Sequence, residues 1–362
     1  MEFTFSEEQE ALRTSVRAVV DDAVAAGAVR GFVDGRPDAA GESWVRMVEL
    51  GWPALLVPER CGGLGLGLVD AVVVLEETGR APLPGPFLSS AVVATRAADL
   101  LGCDDLLADL AAGARRGTVA LEESGHDDPV DRVRTRANRR GAAWELTGEK
   151  PIVFDPDASW VIVAARTGEG LASFLIDSPQ FEAVTALDPT RAVGHLRLDG
   201  TAAALIGPPG SHTRIWREIA DVAAIALAAE LVGVCDAAFA AAVAYGQARV
   251  QFDQPIASHQ VIQHKFVDML HRFELGRVGV HHAVWSFDVG DAGRSESAAI
   301  AKSAMGAAAV FVTAENIQVH GAVGFTWEAD PQLHFKRAKQ NDALYGARSW
   351  QERRIADAFL DA

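Results

Sequence analysis

The 362-residue chain is poor in cysteine: it has only Cys61, Cys103 and Cys235, far apart. No disulfide framework and no Cys/His metal spacing can be built from them, which points to a reducing, cytoplasmic setting. Positive charge is also short, with 33 Lys and Arg against 49 Asp and Glu and a net charge of −16. Nucleic acid needs a basic face and is not an expected partner; a small anion would need a local basic pocket. No HExxH accompanies His259, His264, His271, His281 and His282, so no metal site is expected, although His264 and His271 would share a helix face. Long apolar runs are missing too. Ala223 to Val234 is interrupted by Glu230 and reads as too short to span a bilayer. The opening MEFTFSEEQEALRTSV is acidic and amphipathic, unlike a signal or transit peptide. The stretch Gly62 to Gly67 is rich in glycine but has no Gly-Lys-Ser/Thr and no strand–GxGxxG–helix unit. It reads as a tight connection, not a phosphate loop.

What is present is a change of period along the chain. Ser6 reads as a helix N-cap, with Gln9 closing a capping box and Leu12, Val16, Val19 and Val20 following at helical spacing. Further helices are expected over Ser43 to Leu50, which stops at Gly51-Trp52-Pro53, over Leu68 to Thr78, and on to about Gly113. From Thr118, short apolar runs such as Val133 to Ala137, Trp160 to Ala164 and Leu171 to Ile176 alternate with turn residues, among them Gly125, Gly148 and Pro179. That predicts a small barrel or sandwich. After Gly207-Pro208-Pro209-Gly210 the pattern is helical again, over Ile215 to Arg249, Gln260 to Val289, Ser295 to His320 and Leu333 to Leu360. The fold class is α+β multidomain: a helical domain at 1–117, a β domain at 118–210 and a four-helix bundle at 211–362.

One stretch stands out, YGQARVQFDQPIASHQVIQHKFVDM from Tyr245 to Met269. A short polar hook between two long helices can converge a guanidinium and side-chain amides on an anion. With FSEEQEALRTSVR at the start, LGWPALLVPERCGGLGLGLVDAVVVLEETGR, WELTGEK and IQVHGAVGFTWEAD, in this order, the chain resembles the acyl-CoA dehydrogenase family along nearly its whole length. The resemblance implies FAD-dependent α,β-desaturation of an acyl-CoA thioester, with a carboxylate taking the α proton and the flavin taking the β hydride. It also implies a dimer of dimers in which one chain holds the flavin ring and its neighbour's bundle holds the pyrophosphate and adenosine. An electron-transfer flavoprotein is the expected kind of electron acceptor. On that resemblance Arg249 and Gln251 match the pyrophosphate ligands, Phe252 and Gln260 the adenosine side, and Gln318 and Gly321 the Gln-x-x-Gly loop; Ala322 stands where a second Gly is common.

The other half of the pattern departs. Tyr345 stands where the catalytic Glu is expected, after Ala338-Lys339 and before Gly346. A tyrosine with an ordinary pKa of about 10 is a poor base at neutral pH. The alternative base position, upstream of Gly233, holds Ala223; Asp221 is the nearest substitute, with Asp342 and Glu230 weaker ones. The stretch that lines flavin and thioester in the family reads Glu122 to Pro129, bringing two extra acids, and Trp-Ile-Thr/Ser is replaced within Pro151-Ile152-Val153-Phe154. The donated half of the FAD signature is present and the retained half is damaged. The expectation is a heteromeric α2β2 enzyme in which this chain lends its hook to a second acyl-CoA dehydrogenase subunit. The alternatives are a self-sufficient homo-oligomeric flavoenzyme with a displaced base and a catalytically silent structural subunit. Trp285, Trp327 and Trp350 read as packing or interface aromatics.

Overall fold

The computed structural model describes residues 5–36, 38–123, 127–141 and 143–360. Gly125, expected at a turn, lies outside the described residues, as do Ser124 and His126 of the altered ring-side stretch.

The first helices are α1 (Glu7–Ala25), α2 (Ala28–Val33), α3 (Asp38–Glu49) and α4 (Leu68–Arg80). The expected capping box opens α1: Gln9 N donates to Ser6 Oγ at 3.2 Å and Ser6 N to Gln9 Oε1 at 3.0 Å. The helix expected from Ser43 is α3 and starts earlier, at Asp38. The glycine-rich connection before α4 meets Asp288, whose carboxylate accepts from Leu68 N at 2.7 Å and Val69 N at 2.9 Å. The free N–H groups of that helix end are thus filled from within the chain. A buried π-helical stretch, Phe87–Ala94, precedes α5 (Thr95–Leu100) and α6 (Asp104–Ala111).

Among the described residues seven strands follow: β1 (Gly117–Ala120), β2 (Arg136–Arg140), β3 (Ala143–Phe154), β4 (Trp160–Thr167), β5 (Gly170–Asp177), β6 (Glu182–Ala183) and β7 (Val193–Ile206). The order β1-β4-β2-β3-β7-β5, with β5 returning to β4, closes the sheet on itself. Its interior is Leu146, Val161, Val163, Phe174, Leu196 and their neighbours. The run expected as a strand at Val133 to Ala137 begins only at Arg136, because Val133 O is taken by Arg166 Nε at 2.7 Å.

The bundle consists of α7 (Thr213–Ala248), the two-residue strands β8 (Val250–Gln251) and β9 (Gln254–Pro255), α8 (Gln260–Asp288), α9 (Arg294–His320), α10 (Pro331–Ala343) and α11 (Arg348–Leu360). By length and composition α7 could cross a membrane, which corrects the expectation of a short apolar run; its apolar window is 83% buried among the other helices. It crosses α4 at two glycines. A Cβ on Gly233 would lie 1.8 Å from Glu76 O, and one on Gly79 2.1 Å from Glu230 O. The last helix, expected as one piece from Leu333 to Leu360, is two. Tyr345 and Gly346 adopt φ 54° and φ 87°, which no continuing α-helix accommodates.

Candidate functional site

The hook is a hairpin. Val250 pairs with Pro255 and Gln251 with Gln254, leaving Phe252 and Asp253 as the two turn residues at φ 54° and 63°. Two consecutive left-handed residues match the twist of a two-residue hairpin. Asp tolerates that conformation; a bulky aromatic rarely adopts it. Phe252 is nevertheless there, and 88% exposed. Arg249, Gln251, Gln260, Gln318 and Gly321 are also exposed. The Arg249 backbone is tied down on both sides, its N donating to Tyr245 O and its O accepting from Ile256 N, each at 2.8 Å. Its guanidinium has no hydrogen-bond or ion-pair partner among the described residues. Gln251 Nε2 donates to Val250 O at 2.7 Å. The Tyr245 ring stacks on His320 with centroids 4.2 Å apart, which sets the end of α7 against the end of α9. Gln318 and Gly321 therefore belong to the same end of the bundle as the hook. Gly321, at φ 64° and ψ −143°, occupies backbone space essentially reserved for glycine.

The position expected for the base is packed inside the protein. Tyr345 is buried, its ring 6.4 Å from that of Phe154, and the Arg191 guanidinium covers Phe154 at 4.7 Å. Burial, reinforced by the Glu122 charge, pushes the Tyr345 phenol well above its ordinary range, away from a base. Ala223 lies inside the core of α7 with no exposure. The two acids of the altered stretch are both taken up by partners within the chain. Glu122 turns inward and accepts from Tyr345 N at 2.7 Å. Burial pushes its carboxyl up to about 7, against the pull of the Tyr345 N–H and Lys302. Glu123 pairs with the buried Lys150 at 2.7 Å and accepts from Thr135 Oγ1 at 2.6 Å. Burial raises the Glu123 carboxyl, but Lys150 and these hydrogen bonds outweigh it and hold the group below its ordinary value.

Asp221, the nearest substitute base, is tied to Arg354 at 2.8 Å and to Ser295 Oγ. It links α7 to α9 and α11 and has no free oxygen to offer a substrate. Asp342 Oδ2 accepts from Arg348 at 2.8 Å, while its buried Oδ1 has no hydrogen-bond partner among the described residues. Of the histidines, His281 Nε2 contacts Glu76 at 2.8 Å, and His259 Nδ1 meets Gln254 Nε2 at 3.3 Å. Trp327 lies exposed under Lys336, and the half-buried Trp350 lies under Arg354.

Glu230 is more than the helix-packing acid expected. It accepts from Arg337 Nη1 at 2.8 Å and Asn341 Nδ2 at 2.7 Å and pairs with Arg191. Arg337 also pairs with Asp188 and donates to Thr190 Oγ1 at 2.6 Å. Asp188, Arg191, Glu230 and Arg337, all buried, thus join the segment before β7 to α7 and α10 directly beside Phe154. The one signal for this cluster in the sequence was a single Glu inside the apolar run Ala223 to Val234.

A helical domain, a closed β sheet and a helical bundle with an exposed cationic hook define the class, and the comparisons agree. The family model for the acyl-CoA dehydrogenase N-terminal domain matches residues 6–104, and that for the C-terminal domain matches 213–360. The chain belongs to the acyl-CoA dehydrogenase family. Acyl-CoA dehydrogenase IpdE2 of Mycolicibacterium smegmatis is 32% identical over 98% of this chain and 100% of its own length. Among solved structures, the Tcur3481-Tcur3483 steroid ACAD variant superposes with a TM-score of 0.88 at 28% identity, covering 98% of both chains. The ChsE4-ChsE5 complex from Mycobacterium tuberculosis gives a TM-score of 0.88 at 26% identity, covering 100% of both.

Proposed function

We propose that this chain is a subunit of an FAD-dependent acyl-CoA dehydrogenase and lends the ADP-binding half of the FAD site to a partner subunit. One contrast carries the reading. The Arg249 guanidinium stands exposed on a fixed hairpin with no partner among the described residues, while Tyr345, packed against Phe154 and Glu122, takes the position expected for the catalytic base. The residues present fit the pyrophosphate and adenosine of FAD; on the ring side, Tyr345 stands where the base would be and packs against Phe154. Bound FAD supplies the hydride acceptor for desaturation. Arg249 and Gln251 would hold its pyrophosphate, Phe252 and Gln260 would flank its adenosine, and Gln318 with Gly321 would approach the same nucleotide. The partner, a second acyl-CoA dehydrogenase chain in an α2β2 assembly, would supply the flavin ring site, the base and the thioester pocket. Relatives named for a steroid ACAD and for a two-component complex support a bulky acyl-CoA substrate and a heteromer. An electron-transfer flavoprotein would reoxidise the flavin, in the cytoplasm.

The test is Arg249→Ala in the complex with the product of an adjacent dehydrogenase gene. A charge-assisted hold on phosphate is worth about 1.5–3 kcal/mol, so FAD affinity should fall roughly tenfold to a hundredfold, and activity with it. Unchanged FAD content and turnover would remove the hook from the cofactor site. The competing reading, a self-sufficient enzyme with a displaced base, is favoured by one group: Glu122, poised near 7 at the Tyr345 backbone. Turnover by the lone chain, abolished in Glu122→Gln, would support that reading instead.

A further inference from the structure

The segment between α9 and α10 carries Gly321 and is gripped from the far end of the sequence. It leaves α9 at His320, forms a short helical turn over Gly321–Phe325 and re-enters a helix at Pro331. Little holds its start. A Cβ on Gly321 would meet no heavy atom within 4 Å beyond its own chain neighbours, so packing does not fix the backbone there. Val323, Phe325 and Trp327 are exposed. The segment is fixed at two later points. The first is Gly324, buried against the last turn of α9, where a Cβ would lie 3.0 Å from Ile317 O. The second is Arg30 on α2, 297 positions before Trp327.

One guanidinium takes three acceptors there. Arg30 Nη1 donates to Trp327 O, and Nη2 donates to Glu328 O at 3.1 Å and to the Asp330 carboxylate. Asp34, just past the end of α2, accepts from Trp327 Nε1 at 3.3 Å. The other hydrogen bonds of this stretch are local turns, Thr326 N to Val323 O at 3.0 Å and Ala329 N to Thr326 O at 3.3 Å. They shape the segment without attaching it to anything. Among the described residues, its hydrogen bonds to distant parts of the chain all go to Arg30 or Asp34. A rigid planar fork can hold two carbonyls and a carboxylate in one geometry, which a compact ammonium cannot match.

We infer that Arg30 is a positioning residue for the cofactor: it holds the segment after α9 so that the Gly321 backbone is kept where the nucleotide would meet it. Arg30 acts through the segment and not by contact with FAD. The inference rests on the reading of the hook end as half of an FAD site. It adds that the N-terminal helical domain, and not the bundle alone, sets the geometry of the donated half. A guanidinium that bonds two backbone carbonyls can do this whatever side chains the segment carries.

The experiment compares wild type, Arg30→Ala, Arg30→Lys and Arg249→Ala. Amide hydrogen exchange over residues 321–329 is measured in the full chain alone, and the rate of FAD release in the complex with its dehydrogenase partner. In Arg30→Ala, exchange over 321–329 should rise about tenfold or more while the rest of the chain exchanges as in wild type, and FAD should leave about fivefold faster or more. Arg30→Lys keeps the charge but not the fork, so both readings should fall between wild type and Arg30→Ala. Arg249→Ala should speed FAD release and leave exchange over 321–329 unchanged. Wild-type exchange over 321–329 in Arg30→Ala would overturn the inference. So would wild-type FAD release in Arg30→Ala beside faster release in Arg249→Ala, which would leave the hook reading standing and make Arg30 a structural tie. Wild-type release in both variants would overturn the hook reading and this inference with it.

Discussion

Phe252 is held at φ 54° with 88% of its surface in water, so it gives its own chain strain and little burial. A side chain in left-handed backbone costs roughly 1–2 kcal/mol, which glycine escapes. Phe252→Gly should therefore leave the Tm of the isolated chain unchanged or higher, while FAD binding by the complex weakens. A fall in Tm with unchanged FAD binding would make Phe252 a structural residue. Glu122 makes a second prediction. Its carboxyl is raised to about 7 in the fold by burial, above its ordinary 4.5, so the folded state keeps a proton that the unfolded state releases. This group's contribution is therefore favourable at low pH and is lost as pH rises from about 4.5 to 7, at roughly 1.4 kcal/mol per unit at most. Glu122→Gln should raise stability more at pH 8 than at pH 5 in urea unfolding; an equal effect at both would mean that Glu122 is ionised throughout.

Among the elements, the ion cluster of Asp188, Arg191, Glu230 and Arg337 joins the β sheet to two helices of the bundle. Removing one partner strands the others in a buried setting, which costs about 3–5 kcal/mol. Arg337→Met should lose about that much in denaturant unfolding, far more than a change at exposed Arg249. A loss under about 1 kcal/mol would mean that water reaches the cluster. This cluster also marks the limit of what could be read from residues in order. Helices with a capping signal or a glycine stop were legible, as at Ser6 and Gly51, because those signals act within one turn. The hook was legible as well, since Arg249 to Gln260 are close in sequence. The network was not, because its members lie on three separate elements and each alone reads as an ordinary charge. The break at Tyr345 was missed for a related reason: its left-handed backbone is held by Glu122, more than two hundred positions earlier. The inward turn of Glu122 and Glu123 was equally hidden, since their partners Tyr345, Lys150 and Thr135 come from other segments.

On the scale of the whole molecule, two ends of one fold have been treated differently. The end that carries Arg249, Gln251, Gln260, Gln318 and Gly321 is open, polar and fixed in backbone. The junction that carries Phe154, Tyr345 and Arg191 is tied by buried charges, with Tyr345 packed against Phe154. The most direct measurement is the number of FAD molecules per chain, by absorbance and released cofactor, for the chain purified alone and with its dehydrogenase partner. The account predicts little or no FAD in the lone chain and fewer FADs than chains in the complex. One tightly held FAD per chain in the lone protein, with turnover, would contradict it.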